Sequence, residues 1–115
     1  MNSRDAEMLE RIVTYASEIE EAQHRFGRSM DVFLNDHVYQ NACCMCILQI
    51  GEAANKLSEE AKAAVPDIPW HSVRGMRNVL AHDYGTVDPV SLWQTIEQDI
   101  PTLKQRCLTA LHTPS

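Results

Sequence analysis

The chain has 115 residues, of which 44% are hydrophobic and 23% charged, and a formal net charge of -6; this balance predicts one globular domain over residues 1–115. The acidic composition excludes a protein that coats nucleic acid broadly, because such binding needs many lysine and arginine contacts to phosphates, so any nucleic-acid contact must be local. No leader pattern and no long apolar run is present, so we expect neither a signal peptide nor a membrane span, and a cytoplasmic location.

The spacing of apolar residues predicts four main helices and therefore an all-α fold, an antiparallel helical bundle. The first helix is expected from about Arg4 to Gln23, with Gly27 as its stop. Residues 28–36 are mixed in character and are expected to form a turn or a short helix, in which Asn35 or Asp36 caps the next helix.

The second helix is expected to be the longest, from about His37 to Ala64. One face collects a core stripe rich in small residues: Tyr39, Cys43, Cys46, Ile50, Ala53, Leu57, Ala61 and Ala64. A second, weaker apolar strip contains Val38, Met45 and Leu48. A helix that is apolar on two sides either lies in the centre of the fold or faces a partner chain.

Four cysteines occur, at positions 43, 44, 46 and 107. Cys43 and Cys46 share a helix face, but no nearby histidine or second cysteine pair completes a zinc-binding set. We therefore interpret Cys43, Cys44 and Cys46 as small core residues in a reducing compartment, and expect no metal and no cofactor.

The third helix is expected from Trp70 to Ala81 or Tyr84, with Gly85 as its terminator. Asp88 followed by proline predicts the start of the fourth helix, since an acidic N-cap and a proline at the first helical position both favour initiation.

The fourth helix carries one apolar stripe: Leu92, Trp93, Ile96, Ile100, Leu103, Cys107 and Leu111. Pro101 is expected to kink or split this helix. Residues 113–115 are expected to fray.

The third helix also carries the most unusual chemistry. From Ile68 to His82 there are two arginines and two histidines but no acidic residue. Arg77 falls within the apolar face of the helix, which requires a partner, a bound anion or a side chain whose charged end extends to solvent. Arg74, Asn78 and His82 form a second, polar stripe.

These residues suit RNA cleavage without a metal. Histidine exchanges protons near neutral pH, and arginine binds a phosphoryl group bidentately. However, Arg77 and His82 lie about 140° apart on an ideal helix, so they converge only if the helix ends near His82 or if a second chain contributes. A histidine at a helix end is also a common cap that interacts with the helix dipole.

Several segments resemble the HepT-like branch of the HEPN superfamily. They are residues 50–58 (IGEAANKLS), 68–70 (IPW), 74–84 (RGMRNVLAHDY), 92–96 (LWQTI) and 99–101 (DIP). The resemblance covers nearly the whole chain. It implies an all-helical homodimer with a composite cleft between the protomers, and a toxin of a type II toxin–antitoxin pair with metal-independent RNase activity.

The resemblance also implies roles for individual residues. Arg77 and His82 match the family's catalytic arginine and histidine, and Asn78 matches the polar residue that often follows the arginine. Tyr84 matches the tyrosine that a partner nucleotidyltransferase, the MntA-like antitoxin, modifies with AMP in some members. Apart from the resemblance, the positive charge and hydrogen-bonding groups of Arg74 and Asn78 are expected to support the RNA phosphate.

Two questions stay open at this point. Glu52 and Asn55 either orient the arginines or are simply solvated. The same cationic surface also fits two other functions, a non-catalytic module that binds a nucleotide or docks the transferase, and a purely structural helical dimer.

Overall fold

The computed structural model describes residues 1–113, apart from the side chain of Tyr84, and these residues form helices without any strand. The helices are α1 (Ser3–Phe26), α2 (Met30–Leu34), α3 (His37–Asn55), α4 (Glu59–Ala64), α5 (Trp70–His82), α6 (Pro89–Gln94) and α7 (Ile100–His112), with a 3₁₀ turn at Tyr84–Thr86 and a π-helical turn at Thr95–Asp99. The predicted all-α class is confirmed.

The start and end of α1 follow from its capping residues. The Asn2 side chain accepts a hydrogen bond from the backbone N–H of Asp5 at 2.7 Å, which satisfies a donor of the first turn. Gly27 ends the helix with φ +119°, a conformation that favours glycine. The predicted stop is confirmed, and the helix runs three residues beyond the predicted end at Gln23.

The expectation of one long helix from His37 to Ala64 is wrong. The Asp36 side chain caps α3 as predicted, but α3 ends at Asn55, and Ser58 begins a separate helix, α4. The Ser58 hydroxyl accepts from the backbone N–H of Ala61 at 3.1 Å. A serine side chain that caps a new helix competes with continuation of the old one, and this divides the apolar pattern into two helices.

The terminator predicted for the third helix is also wrong. Helix α5 ends at His82, and the backbone N–H of Asp83 closes its last turn by donating to Val79. Gly85 lies beyond this end, within the 3₁₀ turn. The helix therefore ends beside the histidine of interest.

Pro101 does not split the last helix. The predicted start is confirmed, because the Asp88 carboxylate accepts from the backbone N–H of Val90 at 3.1 Å. Between α6 and α7 the helix widens into the π turn, where the backbone N–H of Ile100 donates to Thr95. A proline ring clashes with the carbonyl four residues before it, and the wider turn accommodates that conflict without a break. Fraying was predicted for residues 113–115. Thr113 instead caps α7, since its hydroxyl donates to the Thr109 carbonyl at 2.7 Å, and Pro114 and Ser115 lie outside the described residues.

The core lies between α1, α3 and the α6–α7 helix. It includes a ring cluster of Phe33, Tyr39 and Trp93, with ring centroids 4.8–6.3 Å apart. All four cysteines are buried thiols, and burial raises the pKa of Cys43 and Cys107 to about 12. Their interpretation as core residues is confirmed.

Among residues 1–113, no helix is both long enough and apolar enough to cross a membrane.

Candidate functional site

The site is built where α5 crosses α3 at very short range. A Cβ atom on Gly51 of α3 would overlap the Cβ and Cγ atoms of Arg77. Only the missing side chain of glycine lets the two helices approach this closely. Arg77 therefore leaves α5 directly against the backbone of α3, and the length of its side chain extends along that helix.

The Arg77 guanidinium is held by two oxygen acceptors. Its Nε donates to Oε1 of Glu52 at 2.6 Å, and Nη2 lies 2.6 Å from the same oxygen. Nη1 donates to the Asn78 side-chain oxygen at 3.0 Å. Arginine has five N–H donors, so at least two remain for a ligand. The side chain is 29% exposed, which is enough for a ligand to reach it.

The partner required for an arginine on the apolar face is thus a carboxylate of the same chain. Of the two interpretations of Glu52, orientation of the arginine is the one that the structure shows. Fixing the guanidinium plane in advance lowers the entropy lost when it binds an anion.

A second contact of the same kind lies one turn earlier on α5. Nε of Arg74 donates to the side-chain oxygen of Asn55 at 3.3 Å. Asn55 follows Glu52 by one turn of α3, so two arginines of α5 meet two acceptors of α3 in antiparallel order. Asn55 is therefore a hydrogen-bond partner of Arg74, although both side chains are also exposed to solvent.

His82 is the last residue of α5 and is exposed. Its imidazole makes no hydrogen bond to another described side chain, so both ring nitrogens are available within the described part of the structure. Asn78 lies between Arg77 and His82 on the exposed polar stripe. Tyr84 begins the 3₁₀ turn that follows, but its side chain lies outside the described part of the structure.

Three apolar side chains of α3 and α5 are exposed. Val38 and Met45 of α3 are 65% and 53% exposed, and Val79 of α5 is 48% exposed. Leu48, the remaining member of the predicted strip, is half-buried. The second apolar side of α3 therefore points away from the core of its own chain.

The described residues contain no group of three or more histidine, cysteine, aspartate or glutamate side chains arranged to hold a metal ion. The site consists instead of guanidinium, amide and imidazole groups, which bind anions and exchange protons.

Sequence reasoning did not identify two features of the site. The role of Gly51 was not apparent, because a glycine within a stripe of small residues also fits ordinary packing. A pocket beside α5 that includes Lys62 was missed as well, since α4 was expected to continue the long helix. The Ser58-x-x-Ala61 cap was the local signal for that break.

The fold and this surface together define a class: a small all-α protein whose fifth helix presents arginine, asparagine and histidine from one exposed edge. A family model described as "Ribonuclease HepT-like" matches residues 12–110. The chain belongs to the HepT-like ribonuclease family.

Similar proteins from several organisms carry names that agree with this family assignment. A "Probable ribonuclease HepT" of Thermococcus cleftensis is 40% identical over 72 residues, which are 63% of this chain and 66% of the relative. A "Putative RNase" of Methanocaldococcus jannaschii is 34% identical over 82 residues, 70% of this chain and 71% of the relative. Another "Putative RNase", of Caldanaerobacter subterraneus, is 34% identical over 80 residues, again 70% and 71%. No solved structure matches the chain significantly.

Proposed function

We propose that this protein is a metal-independent endoribonuclease and the toxin of a type II toxin–antitoxin pair. The observation that carries the proposal is the arrangement on α5, where Arg77 is fixed by Glu52 and Asn78 and His82 is exposed at the helix end. Membership of the HepT-like ribonuclease family supports the choice of RNA as the substrate.

In the proposed reaction, His82 removes the proton from a ribose 2′-hydroxyl, and the 2′-oxygen attacks the adjacent phosphorus. The bond from phosphorus to the 5′-oxygen breaks, and an acid protonates the leaving oxygen. The products are a 2′,3′-cyclic phosphate and a 5′-hydroxyl end. Arg77 stabilises the negative charge that develops on the phosphoryl oxygens, Asn78 positions this phosphate, and Arg74 supports the RNA backbone beside it.

The acid in this scheme comes from a second copy of the chain. Since Arg77 and His82 diverge by about 140° on a regular helix, one α5 cannot surround a phosphate. A homodimer places two such edges across a twofold axis and makes the cleft composite, so that the partner subunit's His82 acts as the acid. The exposed apolar side chains of Val38 and Met45 on α3 and of Val79 on α5 support this arrangement, because they offer surface for the second copy to bury.

The antitoxin in this proposal is an MntA-like nucleotidyltransferase that transfers AMP from ATP to the Tyr84 hydroxyl, with loss of the hydroxyl proton and release of pyrophosphate. The support is the resemblance of the Arg77–Tyr84 motif to that of modified family members. Tyr84 follows His82 by two residues, so the modification adds bulk and negative charge beside the site, and both repel RNA.

The decisive experiment measures cleavage of single-stranded RNA by the purified protein in EDTA. We expect cleavage that leaves 2′,3′-cyclic phosphate ends, and loss of at least about 100-fold in rate for Arg77→Ala and for His82→Ala, the scale of general acid–base and charge-stabilising contributions. Arg25→Ala is the control, because Arg25 pairs with Glu21 within α1 and not with any residue of α5. Equal cleavage by all four proteins contradicts the assignment.

Two further measurements address the dimer and the antitoxin. Sedimentation equilibrium is expected to show a dimer that Met45→Glu dissociates, since a carboxylate placed in an apolar interface is costly. Mass spectrometry after co-expression with the neighbouring transferase is expected to show AMP on the peptide that contains Tyr84. A monomeric wild type contradicts the composite site, and an unmodified tyrosine contradicts this mode of neutralisation.

A further inference from the structure

A pocket at the N-terminal end of α5 contains a cluster of cationic side chains outside the Arg77–His82 edge. This pocket, which we call the basic pocket, is open, has a volume of about 430 Å³ and lies between α4 and α5. Its lining residues are Glu59, Lys62, Ala63, Trp70, His71 and Arg74.

The basic pocket is held in shape by an anchored tryptophan. The indole N–H of Trp70 donates to the backbone carbonyl of Lys62 at 3.2 Å, which ties the first turn of α5 to α4. The Lys62 side chain is only 12% exposed, so its aliphatic stem is packed and its ammonium group is confined to the pocket. These contacts fix the position of the Lys62 ammonium group better than a solvated surface does.

Arg74 of the basic pocket has a neutral partner, whereas most of the other arginines and lysines of the described chain pair with a carboxylate. Elsewhere, Arg11, Arg25, Arg28, Lys104 and Arg106 each pair with a carboxylate. In the basic pocket, Arg74 donates to a neutral amide, that of Asn55. Its positive charge is therefore not neutralised by that partner and can attract an external anion.

Lys62 does have a carboxylate neighbour, but the pair is loose. Its Nζ lies 3.6 Å from Glu59, whose side chain is 93% exposed. An ion pair with one fully solvated partner contributes little, so Glu59 can move aside for a phosphate. The negative charge of Glu59 opposes the binding of any anion in the basic pocket, so removing this charge is expected to strengthen anion binding.

The basic pocket continues the polar stripe of the proposed site. His71, Arg74, Asn78 and His82 share one side of α5, and His71 lies about 9 Å along the helix axis from Arg77, at 1.5 Å per residue. A nucleic-acid strand whose scissile phosphate sits at Arg77 and His82 therefore reaches the basic pocket with the nucleotides that follow it along α5.

We infer that the basic pocket is a phosphate-binding subsite for an RNA strand, in which Lys62, His71 and Arg74 contact a phosphate next to the scissile one and Trp70 provides an aromatic wall. This inference rests on the proposed function for its choice of RNA. It adds α4 to the binding surface and assigns RNA contacts to two residues outside the Arg-x4-His motif, Lys62 and His71.

The experiment measures binding of a fluorescent single-stranded RNA oligonucleotide by anisotropy over a series of salt concentrations. Every protein carries His82→Ala, which prevents cleavage. Lys62→Met removes the charge and retains the stem, and Lys104→Met is the matched control, since Lys104 is also mostly covered and pairs with Glu20 on another face. Glu59→Gln removes a negative charge from the basic pocket and therefore tests for the opposite effect on RNA binding.

We expect Lys62→Met to weaken RNA binding several-fold and to reduce the magnitude of the slope of log affinity against log salt by about 0.7, the value for one phosphate contact on a single strand. Glu59→Gln is expected to tighten binding, and Lys104→Met is expected to leave the slope unchanged. Equal slopes for Lys62→Met and Lys104→Met overturn the inference, as does the absence of measurable RNA binding.

Calorimetry with AMP separates a strand from a free nucleotide. If Lys62→Met abolishes binding of AMP and leaves the RNA affinity unchanged, the basic pocket belongs to a mononucleotide and the inference fails. Cleavage by the protein that retains His82 is scored separately. If the protein does not cleave RNA but Lys62→Met weakens RNA binding, the proposed reaction is contradicted and the subsite is supported. If the protein cleaves RNA but Lys62→Met leaves RNA binding unchanged, the subsite is contradicted and the proposed reaction is supported.

Discussion

Helix α3 has two flanks that are built differently. Against α1 it buries a continuous apolar stripe, and eight residues of α1 are buried. Against α5 it uses the close approach at Gly51 and the two polar contacts of Arg77 and Arg74, and only Leu80 of α5 is buried. The α1 flank contributes hydrophobic burial, while the α5 flank leaves polar side chains within reach of solvent.

The helix ends show the same contrast. Asn2 caps α1 with a side-chain hydrogen bond, whereas Pro69 precedes α5 without one. The position of α5 therefore depends on its contacts with α3 more than on its own capping. This division of labour predicts that substitutions on the α1 flank change stability alone, while those on the α5 flank change the geometry of the proposed site.

The largest effect is expected from Gly51→Ala. The new methyl group meets Cβ and Cγ of Arg77, atoms close to the backbone that cannot move away independently. Either α5 shifts or neighbouring core residues are displaced, and we expect the free energy of unfolding to fall by about 3 kcal/mol, the upper end of the range for overpacked cores. Chemical denaturation measures the stability, and RNA cleavage is expected to fall to background because Arg77 is displaced.

Gly75→Ala is the matched control for this change. Gly75 lies within α5, and a Cβ there meets nothing within 4 Å. Alanine is favoured over glycine inside a helix by about 1 kcal/mol, so this variant is expected to be more stable than the wild type. A stable, active Gly51→Ala protein contradicts the close-approach account of the α5 flank.

On the α1 flank, Asp5→Asn is expected to cost about 2 kcal/mol at pH 7, since the amide nitrogen that replaces one buried carboxylate oxygen cannot accept a hydrogen bond from Ser58. Asp5 is 4% exposed and accepts from the hydroxyl and the backbone N–H of Ser58 at 2.7 and 3.0 Å. These bonds hold the pKa of Asp5 below the ordinary value of 3.8. Asp31→Asn, at an exposed aspartate of α2, is the control.

The pH dependence follows from the direction of that shift. A carboxyl whose pKa is lower in the folded state contributes its full stability above the unfolded value, and the contribution is lost as the pH falls through the folded value. The stability difference between wild type and Asp5→Asn is therefore expected to be constant near neutrality and to shrink below about pH 4. A difference that stays constant into acid contradicts this role of the ionised carboxylate.

A smaller effect, on activity rather than stability, is expected from Glu52→Gln. The amide still accepts one hydrogen bond, but it holds the Arg77 guanidinium less firmly and no longer offsets its charge. We expect kcat for RNA cleavage to fall about tenfold, which corresponds to ~1.4 kcal/mol, while KM does not rise.

The control for Glu52→Gln is Glu97→Gln. Glu97 also binds a guanidinium, that of Arg28 at 3.1 Å, but on the α1 side of the molecule. Its loss is expected to leave kcat unchanged. If both substitutions lower kcat alike, the loss reflects general destabilisation and Glu52 has no positioning role.

The two flanks also differ in how far the sequence predicts them. The helices and buried residues of the α1 flank could be predicted from the sequence, because apolar residues that recur every 3.6 residues mark the buried face of a helix. The break at Ser58 was missed because a side-chain cap interrupts a helix without interrupting the apolar pattern.

On the α5 flank, the spacing of apolar residues showed that Arg77 lies on an apolar helix face. The resemblance to the HepT-like family indicated the site residues Arg77, Asn78, His82 and Tyr84. The partners came only from the structure. Glu52 and Asn55 are polar residues on the exposed side of α3, and their spacing is equally compatible with solvation. Which carboxylate meets which guanidinium depends on how two helices cross, and no local pattern records that crossing.

The smallest effect is expected from Tyr39→Phe on the α1 flank. The Tyr39 ring packs against Phe26 and Phe33 with centroids 5.0 and 4.8 Å away, and its hydroxyl is buried without a hydrogen-bond partner among the described residues. Burial raises the pKa of this hydroxyl to about 12, so it is buried as a neutral group.

Removing that oxygen keeps the ring contacts and relieves an unsatisfied polar atom, so Tyr39→Phe is expected to be as stable as the wild type or more stable by less than about 1 kcal/mol. Thermal unfolding measures the change, and Tyr39→Leu, which loses the ring contacts, is expected to be clearly less stable. A destabilised phenylalanine variant with unchanged packing means that the hydroxyl does have a partner, and the α1 flank is then not stabilised by apolar burial alone.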